Sequence, residues 1–109
     1  MKKLIEALKA FRDERDWGQF HNPKDLAAAL SIEASELQEL FMWKHPEQLK
    51  DTDPQRVREE LADILAYALL LADHYQFDIE QIVLDKIEQN GRKYPVEKAK
   101  GTAKKYTDL

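Results

Sequence analysis

Apolar residues recur every three or four positions along four stretches of the chain, and nowhere do they alternate with the period of two that a half-buried strand needs. In residues 2–16, Leu4, Leu8 and Phe11, with Ile5 beside them, form one stripe, while Lys2, Lys9, Arg12, Asp13 and Glu14 fill the other faces. Residues 16–21 hold two aromatics and a glycine without a period, and read as a loop. Asn22-Pro23 then opens a second helix, with a good N-cap, a proline tolerated at the first position and Asp25 near the positive helix end. Its stripe of Leu26, Leu30, Leu37, Leu40 and Phe41 carries it to about Trp43, before Lys44-His45-Pro46 stops it.

After a polar loop over 46–53, Asp53-Pro54 repeats the cap-then-proline signal. The third helix is apolar over most of its circumference: Val57, Leu61, Ile64, Leu65, Ala68, Leu69, Leu71, Ala72 and Tyr75, with Leu70 facing the other way. Such a helix is central in a bundle or shared with a second subunit, and four helices are few to cover it. Asp78 with Gln81 predicts the cap of a fourth helix, with Ile79, Ile82, Val83 and Ile87 on its apolar face and Gly91 at its C-terminal end. Residues 92–109 show no sustained period and read as an irregular or partly helical tail. The fold class is all-α: one domain over residues 1–109, a four-helix bundle completed by oligomerisation.

Composition narrows the chemistry. The chain has no cysteine, which removes disulfides, thiol nucleophiles and thiolate metal sites. No apolar run approaches the roughly twenty residues of a membrane helix, and the amphipathic start is no signal peptide, so a cytoplasmic protein is expected. Residues 1–85 carry ten Lys/Arg against eighteen Asp/Glu, and residues 86–109 carry seven against three. An acidic body with a basic tail suits a site that holds cations on one side and phosphates on the other.

Two carboxylate pairs stand out against the apolar pattern. Glu33 and Glu36 lie i, i+3 on the second helix, Glu33 amid its apolar arc and Glu36 at the edge in line with Trp43. Glu60 and Asp63 repeat the spacing on the third helix and share a stripe with Tyr67. A single Glu-x-x-Glu is most often a solvated face. Two pairs on apolar faces of neighbouring helices would repel one another unless cations or protons lay between them. All-oxygen ligands favour Mg²⁺, with Mn²⁺ as a substitute, and the absence of Glu-x-x-His on two helices argues against a di-iron bundle. Mg²⁺ shared between carboxylates and phosphates points to a nucleotide or other polyphosphate, although no Gly-rich phosphate loop is present. Lys86, Arg92 and the tail lysines are available for phosphates, and Trp17, Trp43, Tyr67 and Tyr94 for stacking on a base.

With these residues in view, the sequence resembles the MazG-like all-α nucleotide pyrophosphohydrolases, in the small single-domain branch that acts on dCTP. The matching stretches are Glu14-Arg15-Asp16-Trp17 with Gln19-Phe20-His21, then Glu33-x-x-Glu36-Leu37-x-Glu39-Leu40-Phe41-x-Trp43, and Glu59-Glu60-Leu61-x-Asp63-Ile64-Leu65-x-Tyr67. Lys86, Asn90, Arg92, Tyr94-Pro95 and Lys104-Lys105-Tyr106-Thr107 continue the match to the end of the chain. The resemblance implies hydrolysis of a nucleoside triphosphate to monophosphate and diphosphate, Mg²⁺ held by Glu33, Glu36, Glu60 and Asp63, and a catalytic role for Glu33 and Glu36. It implies Trp43 and His21 near the base with Trp17 beside them, and Tyr67, Lys86 and Asn90, extended by Arg92 and Tyr94, at the sugar and phosphates.

The resemblance further implies homo-dimers or tetramers, a dCTP or modified-dCTP substrate, and a role in nucleotide-pool clean-up, with no nucleic-acid polymer or membrane as partner. Two departures bear on the base: Leu8 stands where some relatives carry histidine, and the 44–53 loop is short. The alternative is a non-catalytic helical nucleotide-binding or interaction module.

Overall fold

The computed structural model describes residues 1–109, all helix, turn and loop with no strand. The helices are α1 (Lys2–Glu14), α2 (Pro23–Glu39), α3 (Pro54–His74), α4 (Ile79–Lys93) and the single turn α5 (Val96–Ala99). They form two compact units, Met1–Gln76 and Phe77–Leu109.

Helix starts follow the sequence closely because caps are local chemistry. The Asn22 side chain accepts from the Asp25 N–H at 2.9 Å, Asp53 Oδ1 from the Gln55 N–H at 3.0 Å, and Asp78 Oδ1 from the Gln81 N–H at 2.9 Å. Gln81 does not complete a capping box, since its amide donates forward to Asp85 at 2.7 Å.

Helix ends depart from expectation. α1 stops at Glu14, not 16, because Asp16 turns to φ +54° and the Trp17 N–H closes back on the Arg12 carbonyl at 3.0 Å. The following loop contains a 3-10 turn over Gly18–Phe20, and the 46–53 loop contains another over Pro46–Asp51. α2 ends at Glu39, a full turn before Trp43. The chain tightens into i→i+3 bonds from Leu40 to Leu37 (3.2 Å) and Phe41 to Gln38 (3.0 Å), and Trp43 then takes φ +65°. In the second unit, α4 runs through Gly91 to Lys93, so Gly91 is not its terminal residue. Pro95 ends it instead, by excluding Tyr94 from the helical region.

In the first unit, α3 is the hub, with α2 packed along it and α1 against it. Leu26, Leu40, Leu69, Leu70 and Ala72 are the buried apolar residues. Much of the predicted apolar pattern is open to solvent: Leu61 and Leu65 on α3 are 45% and 52% exposed. The α4 stripe of Ile82, Val83 and Ile87 is likewise exposed. In the second unit the tail returns to the end of α4, where Tyr94 and Tyr106 meet edge to face at 5.9 Å and the Lys93 ammonium lies 4.9 Å from the Tyr106 ring centre. No helix is long and apolar enough to cross a membrane.

Candidate metal centre and adjoining clefts

The packing of α2 along α3 converts two i, i+3 spacings into one cluster. Carboxylate oxygens of Glu33, Glu36 and Glu60 lie within 4.8 Å of one another. Asp63 is not part of that close set, but its charge is felt by both Glu33 and Glu60. Glu33 Oε2 and Glu60 Oε2 are buried and have no hydrogen-bond partner.

Unpartnered carboxylate oxygens away from water are unfavourable, and the protons respond. Glu33 is raised from 4.5 to about 7, by burial first, then by a hydrogen bond to Glu36 and the charges of Glu36, Asp63 and Glu60. Glu60 is raised by burial and by Glu36, against the lowering effect of Arg56. The Tyr67 hydroxyl is raised by burial and by the charges of Glu33, Asp63 and Glu36. Three oxygen donors with two orphaned oxygens fit a hard divalent cation, which would satisfy both oxygens and cancel the repulsion.

Two clefts flank the cluster. One, of about 280 Å³, is largely apolar, with Leu8, Phe11, Trp17, His21 and Tyr67 in its wall and Asp63 at the carboxylate side. Trp17 stands edge to face with Phe11 at 5.8 Å, and His21 with Tyr67 at 6.5 Å. His21 Nδ1 is buried without a partner, and burial followed by the Arg12 charge lowers the imidazole pKa, favouring the neutral ring. The other cleft, of about 550 Å³, is charged: Glu36, Glu39 and Glu60 share it with Lys44 and Arg56.

The structure therefore gathers Glu33, Glu36 and Glu60, with Asp63, Trp17, His21 and Tyr67 beside them. It does not align Trp43 with Glu36, because α2 ends before Trp43. That indole is 93% exposed at a left-handed backbone position. A non-glycine residue there stores strain of about 1–2 kcal/mol. Trp43→Gly is expected to stabilise the fold by about 0.5–1 kcal/mol, after the flexibility glycine adds to the unfolded chain, because no core packing is lost. A higher urea midpoint would register it, and a lower one would contradict the strain.

Lys86, Asn90, Arg92 and Tyr94 lie in the second unit. There Lys86 Nζ donates to Gln89 at 3.0 Å, Arg92 Nη1 to Glu88 at 3.2 Å, and the Asn90 carbonyl accepts from the Tyr94 N–H at 2.8 Å. Sequence periodicity missed Arg12, which it placed on a solvent face and which lines the apolar cleft, and it missed Lys44 and Arg56. The i, i+4 spacing of Arg12 from Leu8 was the available signal.

Known proteins are similar to the chain over most of its length. The MazG-like family model matches residues 28–109. The chain is 45% identical over 104 residues to dCTP pyrophosphatase 1 of Bos taurus, covering 91% of this chain and 62% of that protein. For the Homo sapiens protein of the same name the identity is 40%, covering 91% and 61%. The chain thus spans somewhat less than two thirds of these relatives' length. A crystal structure of a pyrophosphatase from Archaeoglobus fulgidus superposes with a TM-score of 0.83 at 39% identity, covering 87% of this chain and 92% of that one. With Glu33, Glu36, Glu60 and Asp63 inside the matched region and its fold shared across nearly the whole of that structure, the chain belongs to the MazG-like family.

Proposed function

We propose that the protein is a Mg²⁺-dependent nucleoside triphosphate pyrophosphohydrolase that converts a (d)NTP and water to the monophosphate and diphosphate. Its substrate in this reading is dCTP or a modified dCTP, removed from the cytoplasmic nucleotide pool. The observation that carries the proposal is the convergence of Glu33, Glu36 and Glu60, two of them with orphaned buried oxygens, beside an aromatic-walled cleft. The names of the relatives support the reaction and the base.

Glu33, Glu36 and Glu60, joined by Asp63, would hold Mg²⁺, with Mn²⁺ as a substitute. The bound metal supplies charge neutralisation on the phosphates and a lowered pKa for water. Glu33 and Glu36 are the carboxylates placed to take the proton of the water that attacks the α-phosphorus. As the new P–O bond forms, the bond from the α-phosphorus to the bridging oxygen breaks and diphosphate leaves. The elevation of Glu33 to about 7 belongs to the metal-free cluster, and a cation held there would lower it. Trp17, His21 and Tyr67 enclose the base and exclude water, and exposed Trp43 closes over it. Lys86, Asn90, Arg92 and Tyr94 serve the sugar and phosphates.

The exposed apolar residues Leu61, Leu65, Ile82, Val83 and Ile87 support a homo-dimer or tetramer. The assembly covers the exposed apolar residues of each unit in the proposal, and the chain acts as a single functional domain over residues 1–109.

A panel of nucleoside triphosphates with Mg²⁺, read for diphosphate and orthophosphate separately, tests the reaction. Diphosphate is expected in equal amount to monophosphate, with cytosine nucleotides preferred. Orthophosphate as the direct product sinks the proposal, and binding without turnover returns the chain to the non-catalytic alternative.

A further inference from the structure

The apolar cleft has one cation in its wall. Arg12 sits one turn after Leu8 on α1, and its side chain is only 20% exposed. Its Nε donates to Asp13 Oδ1 at 2.8 Å, a bond that holds the Asp13 carboxyl below its usual range. Gly18 lies beside the stem, where a Cβ would be in ordinary contact with Nε at 3.5 Å. One of five donors is thereby used, and neither Nη group makes a hydrogen bond within the chain. In the wall of this cleft Leu8, Phe11, Ala66 and Leu70 offer no polar side-chain atom. A ligand entering this largely apolar cleft meets a planar, donor-only fork, with Trp17, His21, Asp63 and Tyr67 as the polar groups beside it; Arg12 also borders a polar cleft formed with Lys9, Asp73, His74 and Gln76.

We infer that Arg12 is a specificity-determining residue that reads the edge of the base, accepting a pyrimidine with two adjacent acceptors and rejecting one with an N–H between its carbonyls. The inference rests on the nucleotide-hydrolase reading above and adds the residue that chooses the base. Cytosine presents N3 and O2 side by side as acceptors, which match two parallel guanidinium N–H groups. Uracil and thymine place N3–H at that position, so donor faces donor and the fork's match to the base is lost. Unmade hydrogen bonds of this kind discriminate more strongly than shape does. A substituent at C5 leaves N3 and O2 unchanged, so modified cytosines remain readable.

The test compares kcat/KM for dCTP and dUTP in the wild type, Arg12→Met and Arg12→Lys, with circular dichroism to establish folding. Wild type is expected to favour dCTP. Arg12→Met keeps the length of the stem and loses the donors, and the dCTP/dUTP ratio is expected to fall about tenfold. Arg12→Lys keeps the charge without the planar fork, and the ratio falls there too, which carries the test if the Met variant does not fold. A ratio within roughly twofold of wild type in a folded variant overturns the assignment, whereas loss of a bidentate contact moves it further. So does a wild type that turns over dCTP and dUTP equally. A wild type that releases no diphosphate from any nucleotide overturns the hydrolase reading itself, and this inference with it.

Discussion

Glu36→Gln is expected to lower kcat/KM for diphosphate release by about 10²-fold or more, and at the same time to raise the melting midpoint of the metal-free protein. The two effects have one cause. Glu36 is the member of the cluster that both Glu33 and Glu60 feel, by charge and by hydrogen bond. Glutamine keeps its volume and one carbonyl oxygen but removes the negative charge. Without cations the loss relieves repulsion among groups that the fold forces together, so the apo protein gains stability. With substrate present, the site has lost an anionic ligand where a divalent ion and a triphosphate must be held together, and the rate falls. Steady-state kinetics at saturating Mg²⁺ and a thermal scan in EDTA measure the two arms. Activity within tenfold of wild type would remove Glu36 from the metal centre; a lower midpoint in EDTA would show that the carboxylates were not in conflict.

The same cluster shows which parts of the structure are legible in sequence. Spacing placed Glu33 with Glu36 and Glu60 with Asp63, and the cap-proline signals at Asn22-Pro23 and Asp53-Pro54 set where each helix starts. Those signals are local, since a side chain bonds to a backbone N–H two or three residues away. The ends of the helices were less legible. α2 ends at Glu39, before Leu40, which is buried at 8% exposure, and Trp43 turns left-handed, which no residue type over 40–44 announces. The aromatic wall expected from Trp43 on α2 is therefore displaced into solvent, while Trp17, His21 and Tyr67 build a wall from the 17–21 segment and α3. Arg12 escaped notice because a charged residue beside an apolar stripe reads as solvated, and only the packing of α1 on α3 makes it part of a cleft. Asp63 stands apart from the three close carboxylates because i, i+3 spacing fixes a face of a helix but not the reach of each side chain across to its neighbour.

Magnesium is expected to raise the melting midpoint by an amount that is negligible near pH 5 and grows as the pH climbs through about 7, following the carboxylate titration of Glu33. In the metal-free protein the folded pKa of Glu33, about 7, lies above its ordinary value of 4.5. Between those values the folded state holds a proton that the unfolded chain releases. The resulting stability is complete on the acid side of the window and is lost as the pH rises through it. Glu60 is shifted in the same direction and adds to the effect. His21 works against it: its pKa is lowered, so the folded state is less stable as the pH falls and the ring must charge. The midpoint in EDTA alone therefore mixes opposing slopes. The difference between midpoints with Mg²⁺ and with EDTA separates them, because the metal competes with protons for the carboxylates and not for an imidazole in the neighbouring cleft. Glu36→Gln should flatten that difference, and His21→Gln should leave it in place while changing the EDTA slope. A Mg²⁺ effect independent of pH from 5 to 8 would place the ion at groups other than Glu33 and Glu60.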